Sequence, residues 1–292
     1  MTHLTEKTID YKVLYKQKCK EVKELQKELE LLKNPIIITD KQRIIDLFNK
    51  NIKGKKICLE SKHFGSEGHW LEKQMGVKHN MKNEPDIYGY EMKKLSKKIT
   101  LGDFSASEYA YSKQRTGINK YNKWTNDGQS MTRTEYIHYF GTPNPEKNNR
   151  YSWSGSCVPK YNKWNTCGQN ITINDDNDII IKYSYSIDER DSKHDFPEFL
   201  KKDNLVITLW RSSKMKRHIN DKFNQKGFFI CKKIEDTYQK ICFGNPFNFE
   251  YFIECFKNKK IIFDSGMYEG NNRNYSQFRG TSLWNELIIE EY

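Results

Sequence analysis

Residues 65 to 93 constrain this chain more than any other stretch. Asp86 follows Pro85 in a turn, and Glu91 and Lys93 stand two apart in a segment, Ile87 to Leu95, that reads as a strand. A period of two puts Glu91 and Lys93 on one face and Met92 on the other. An earlier acid, Glu72, lies in the short apolar segment from Trp70 to Met75, closed by Gly76. Two carboxylates and a lysine on one surface suit metal-assisted phosphodiester hydrolysis. A hard cation takes a few carboxylate oxygens and keeps open positions for water. It then acidifies a bound water and stabilises charge on the phosphate oxygens, and the lysine can position or deprotonate that water. Pro-Asp followed by Glu-x-Lys is a short motif, and the bland alternative is a surface turn leading into an amphipathic strand with solvated charges.

The wider pattern comprises Gly65, Gly68, Trp70, Leu71, Glu72, Gly76, Pro85, Asp86, Gly89, Glu91 and Lys93. It resembles the active-site region of the MvaI/BcnI group of restriction endonucleases and of the MutH mismatch-repair nicking endonucleases, within the PD-(D/E)xK nuclease superfamily. The resemblance runs on through the C-terminal half, and its one sharp motif is the active site. It implies a mixed α/β restriction-endonuclease-like core with a second lobe that reads DNA. It implies metal ligands at Asp86 and Glu91, a catalytic lysine at Lys93 and a supporting helix acid at Glu72. Mg2+ is the implied cofactor, double-stranded DNA the implied substrate, and action as a monomer alongside a companion methyltransferase the implied setting. Lys94, directly after the motif, is expected to point to the opposite face of the strand.

The composition agrees with a polyanionic partner. The net charge is +12 over 292 residues and the pI is near 9.1, as for proteins that bind nucleic acid. A general lysine bias would give part of the same excess. The opening residues do not read as a signal peptide, and no apolar run approaches the length of a membrane span, so a cytoplasmic location is expected. The seven cysteines contain no Cys-x-x-Cys pair. They are expected to be reduced and mostly in the core, without structural zinc.

Along the chain, residues 1–34 read as an N-terminal charged helix, 35–115 as a catalytic lobe and 116–292 as a recognition lobe. Val22, Leu25, Leu29 and Leu32 form a short helical stripe, suited to packing against the body of the same chain or to a coiled-coil partner. Thr39 or Asp40 caps a second helix that ends before Gly54. Ile99 to Phe104 reads as the next strand of the catalytic sheet. Lys120-Tyr121-Asn122-Lys123-Trp124 recurs 40 residues later as Lys160-Tyr161-Asn162-Lys163-Trp164. This echo suggests two hairpins or loops in which lysines touch phosphates and tryptophans pack.

Strands follow near Ile171, Ile179 and Leu205, then a basic helix from Arg211 to Lys226. A strand pair follows at Gly227–Cys231 and Tyr238–Phe243. The helix is as well explained by a solvated face as by phosphate contact. The stretch Gly266 to Thr281 reads as a long loop rich in Gly, Asn and Arg. Its Arg273, Gln277 and Arg279 could pair with guanine or adenine edges; a mobile surface loop is the alternative. His79-Asn80 lacks the further elements of an HNH nuclease, and no phosphate-binding Gly-rich loop or Gly-x-Ser-x-Gly is present. The expected function is sequence-specific DNA cleavage of type II restriction character. The rivals are a repair nickase and a DNA-binding protein without cleavage activity.

Overall fold

The computed structural model describes residues 11–33, 38–57, 65–77, 83–122 and 131–292. The chain divides into two compact units, Met1–Ile44 and Ile45–Tyr292. In the first, α1 (Tyr11–Lys33) is built from good helix formers, chiefly Lys, Glu and Leu. Its stripe residues Val22, Leu25 and Leu29 are exposed. Helix α2 (Asp40–Asn51) begins in the first unit and runs into the second, and at its start the Thr39 hydroxyl accepts from the Gln42 amide at 3.1 Å. Gly54 follows its end with φ +77°, the left-handed turn that glycine adopts freely.

The second unit continues with α3 (Ser66–Gln74), β1 (Glu91–Lys94), β2 (Ile99–Asp103), β3 (Glu108–Tyr109), α4 (Thr116–Asn122) and α5 (Arg133–Phe140). Next come β4 (Thr142–Asn144), β5 (Arg150–Trp153), β6 (Cys167–Ile173), β7 (Ile179–Asp188), β8 (Leu205–Trp210) and α6 (Ser212–Phe223). The chain closes with β9 (Phe228–Ile234), β10 (Thr237–Gly244), α7 (Phe249–Lys257), β11 (Ile261–Ser265), β12 (Met267–Tyr268), β13 (Ser276–Gly280), α8 (Leu283–Leu287) and β14 (Ile288–Glu291). The described strands form four sheets, in the orders β1-β9-β10-β14, β11-β13-β2, β12-β5-β4 and β3-β8-β7-β6.

The first sheet positions the site. Strand β1 runs parallel to β9, with Glu91 opposite Phe228 and Lys93 opposite Ile230. Phe228 to Cys231 are all buried, the continuous apolar run of a strand covered on both faces. A parallel pair needs a crossover connection, and this one ends on α6. Met215, Ile219 and Phe223, spaced by four, bury one stripe of α6 in the core. Gly227 stands before β9 with φ +91°, and a Cβ there would come within 2.2 Å of the Gly244 carbonyl oxygen. Its own carbonyl accepts from the Glu91 amide at 3.0 Å and so anchors the start of β1.

Several expectations are corrected. The strand around the motif is shorter than Ile87 to Leu95. Ile87 and Tyr90 bond to each other across a tight turn through Tyr88 (φ 50°) and Gly89 (φ 83°), and β1 begins only at Glu91. Strand β2 pairs with β13 and not with β1. The register slips between Phe278 and Arg279, so that Gly280 opposes Ile99 while Phe278 opposes Gly102, and Ile99, Leu101 and Phe278 are all buried in the core. The repeated pentapeptides do not share a conformation. Lys120 lies in the last turn of helix α4, whereas Lys160 and Lys163 close a small turn bridged to Ile171 through Tyr161. Lys123, Trp124, His79 and Asn80 lie outside the described residues.

The reduced-cysteine expectation fails at one pair, since Cys157 and Cys167 form a disulfide with Cα atoms 5.5 Å apart. Asn165 bridges the ends of that loop, its Oδ1 accepting from the amides of Cys167 and Gln169 and its Nδ2 donating to the Ser156 carbonyl at 3.4 Å. Cys231, Cys242 and Cys255 are free and buried, as expected. Among the described residues no helix is long and apolar enough to cross a membrane.

Candidate active site

The turn after Pro85 folds Asp86 back onto the strand it introduces. Asp86 Oδ2 accepts from the Met92 amide at 2.8 Å. Burial pushes the Asp86 carboxyl up, and the nearby negative charge of Glu91 pushes it further. Lys93, the Met92 amide and Lys222 pull the other way, and the balance leaves it at about 6.

Glu91 is 2% exposed. Its Oε1 accepts from Lys93 Nζ at 2.6 Å, the same-face pairing that the period of two requires. Its Oε2 is buried with no hydrogen-bond partner. Lys93 also reaches the Leu101 carbonyl at 3.4 Å, and its ammonium sits 5.6 Å from the centre of the Phe223 ring. Lys94 points the other way, as expected, and pairs with Glu67.

One residue of this cluster comes from the basic helix, with nothing in the sequence to tie it to the motif. Lys222 of α6 places its Nζ 3.1 Å from Glu91 Oε1. Its neighbour Phe223 belongs to the buried stripe, which sets Lys222 beside the core instead of on a solvated face. Asn83, just before the Pro-Asp turn, donates to the His218 carbonyl at 2.8 Å and ties that turn to the same helix.

Glu72 is not drawn into this cluster by any described contact. It is partly exposed and lies 3.4 Å from His69 Nδ1 on its own helix. The acid of α3 that reaches the sheet is Glu67. It accepts from the Tyr238 hydroxyl at 2.7 Å and pairs with Lys94 and Lys233. Burial raises its carboxyl, but those three donors outweigh burial and hold it at about 2.

No described contact joins the other sequence-derived candidates to this cluster. Gln277 and Arg279 are on β13, not in a loop. Alternation puts both on the half-exposed face, and Arg279 Nη2 donates to Gln277 Oε1 at 2.5 Å. Arg279 Nε lies 2.8 Å from Asp264 Oδ2, an ion pair by proximity and not a directed hydrogen bond. Arg273 is in the loop before β13, 3.2 Å from Asp103 Oδ2 and stacked 4.6 Å over Tyr275. That loop is clamped by Arg133, which donates to Asn274 Oδ1 and to the carbonyls of Tyr268 and Arg273. Lys120 is exposed. Lys160 and Lys163 are exposed at the rim of a cavity of about 480 Å³ floored by Tyr161, Phe256 and Phe263.

The donor set fits Mg2+. Two hard carboxylates converge, and one of their oxygens is buried without a partner. Among the described residues no third Asp, Glu, His or Cys joins them to make a complete protein cage. Mg2+ is commonly held by one or two carboxylates, with water and substrate phosphate completing the octahedron.

Residues 50–292 match the family model of the LlaMI restriction endonuclease. The chain is 39% identical over 270 residues to the type II restriction enzyme ScrFI of Lactococcus lactis subsp. cremoris, covering 86% of this chain and 98% of that one. Its fold is similar to restriction endonuclease MvaI in complex with cognate DNA. That likeness has a TM-score of 0.52 at 13% identity and covers 86% of this chain and 95% of the other. With most of its length matched by the family model, the chain belongs to the LlaMI restriction endonuclease family.

Proposed function

We propose that this restriction endonuclease is Mg2+-dependent and hydrolyses both strands of DNA at a short specific sequence, with Asp86 and Glu91 as the metal ligands and Lys93 as the catalytic lysine. The observation that carries the reading is the state of Glu91. A carboxylate this buried is costly unless compensated, yet one of its oxygens meets no donor while the other is held by lysine. A divalent cation would give that open oxygen a partner, and when bound it lowers the pKa of a water and neutralises charge on the phosphate.

The remaining roles belong to the chain. The Met92 amide orients Asp86 through Oδ2. Glu91 orients Lys93, which would hold the attacking water through its ammonium, or take a proton from it as the neutral amine. Glu72 takes no step in this scheme. The excess of lysine and arginine binds the phosphate backbone, with Lys120, Lys123, Lys160 and Lys163 as contacts. Arg273, Gln277 and Arg279 read bases. Monomeric action, a cytoplasmic setting and a companion methyltransferase that protects host DNA go with this reading. The test is plasmid digestion with and without Mg2+, followed by sequencing of the ends. Double-strand breaks at one recurring sequence are expected, and nicks alone or no cleavage would refute the proposal.

A further inference from the structure

Glu91 Oε1 is shared by two ammonium groups, Lys93 at 2.6 Å and Lys222 at 3.1 Å. The two lysines are not equivalent. Lys93 is on the same strand as Glu91 and is fixed further by the Leu101 carbonyl and the Phe223 ring. Lys222 arrives from α6 at the end of a flexible stem, 18% exposed, and its ion pair among the described residues is with Glu91.

The charges of the cluster have a consequence. Asp86 and Glu91 in their ionised forms balance Lys93 and Lys222. A divalent cation held by the two carboxylates leaves a surplus of positive charge in a largely buried site. Repulsion between like charges is strong where water is scarce, so one ammonium has to give way. The bound substrate brings the negative charge that would receive it.

Building on the metal-site reading above, we propose that Lys222 is a positioning residue that holds Glu91 in place while no divalent cation is bound and turns to a phosphate oxygen of the DNA when one is. Lys222 thereby couples cation binding to phosphate binding. It keeps the buried carboxylate compensated before the substrate arrives, and it makes the cation bind weakly until DNA is present.

The test measures binding, not turnover. Mn2+ is titrated calorimetrically into the DNA-free protein for wild type, Lys222→Met and Lys222→Arg. DNA affinity in Ca2+ is then measured across a salt series. Lys222→Met is expected to bind Mn2+ roughly five-fold tighter, because a competing unit charge in a low-dielectric site is gone. Its log-log salt slope should shrink by about 1, as for one lost phosphate contact. Lys222→Arg keeps the charge and should follow wild type in both. A Lys222→Met protein that melts like wild type yet shows an unchanged or weaker Mn2+ affinity, or an unchanged salt slope, would overturn the proposal. Glu91→Gln, titrated alongside, separates the two ideas. Full Mn2+ binding by that variant would sink the metal-site reading itself, whereas its loss together with a null Lys222→Met result would sink only the role of Lys222.

Discussion

Lys93 donates to Oε1 of Glu91 at 2.6 Å from two positions along the same strand, while Oε2 of that carboxylate is buried with no partner. The pair therefore has one satisfied oxygen and one open one, the arrangement that leaves a carboxylate free to bind a cation without giving up its lysine. Glu91→Gln keeps the shape and removes the charge. It is expected to abolish cleavage while DNA binding measured in Ca2+ survives, and Lys93→Ala is expected to do the same. Breaking a buried pair from one side costs about 3–5 kcal/mol, and both Glu91 variants bear that cost. Glu91→Ala goes further, because it also removes the oxygen that accepts from Lys93 and leaves a cavity, so it should melt below Glu91→Gln. Cleavage at the wild-type rate by any of the three would remove that residue from the machinery.

The raised carboxyl of Asp86 gives a second prediction, with opposite signs for activity and stability. Its pKa stands at about 6 against an ordinary 3.8, through burial first and the charge of Glu91 second. Cation binding requires the ionised form, so Mg2+ affinity should fall as pH drops through about 6, and the rate with it when Mg2+ is limiting. For stability, a raised carboxyl pKa means that the folded state favours the proton more than the unfolded state does. Asp86 therefore costs stability above pH 6, and that cost fades as pH falls towards 4. Asp86→Asn keeps an oxygen for the Met92 amide and removes the charge. It should be inactive yet more stable near pH 7, by up to about 3 kcal/mol, with the gain vanishing near pH 4. Thermal melts of both proteins across that range are the measurement, and a constant difference in melting temperature would contradict it.

The parts of the site legible in the sequence were the local ones. Pro85-Asp86 and Glu91-x-Lys93 could be read because a turn and a period of two decide which side chains share a face within a few residues. Lys222 was not legible, since it lies in another helix and meets Glu91 only after the parallel pairing of β1 with β9 brings α6 over the strand. A second long-range pairing hid the true neighbour of β2, which is β13 far along the chain, joined to it in a register that slips at Phe278. The strand character of Gln277 and Arg279 did have a signal that the abundance of Gly and Asn obscured: Ser276, Phe278 and Gly280 alternate with them, and all three are buried. The pairing of Cys157 with Cys167 had no motif to announce it.

A third prediction concerns the charge. If the surplus of basic residues neutralises phosphates, DNA affinity should fall steeply with salt, with a log-log slope of about −0.9 per phosphate contacted. Lys160→Ala and Lys163→Ala should each weaken cognate and random duplexes alike and reduce the slope by about 1. The measurement is a binding isotherm at several salt concentrations in Ca2+. A flat response between low and physiological salt would leave the net charge of +12 without a role in DNA binding.

The last prediction separates a base reader from a phosphate clamp at Arg279. The residue stands on a strand, which places a side chain more firmly than a loop does. Its guanidinium is held before any DNA arrives, by Gln277 Oε1 at 2.5 Å and by Asp264 Oδ2 at 2.8 Å. Such a pre-oriented fork is suited to the O6 and N7 edge of guanine, a contact worth roughly 1–3 kcal/mol of discrimination per base pair. Arg279→Ala should therefore lose about ten-fold or more in affinity for the cognate duplex and much less for a scrambled one. Asp264→Asn leaves the arginine in place but loosens its orientation, so its loss should fall in the same direction and be smaller. Both variants and wild type are compared on the two duplexes in Ca2+, which is expected to hold the enzyme short of cleavage. Equal losses on cognate and scrambled DNA would make Arg279 a backbone contact and move the search for specificity to the arginine-clamped loop around Arg273 and the lysine-rimmed cavity beside Tyr161.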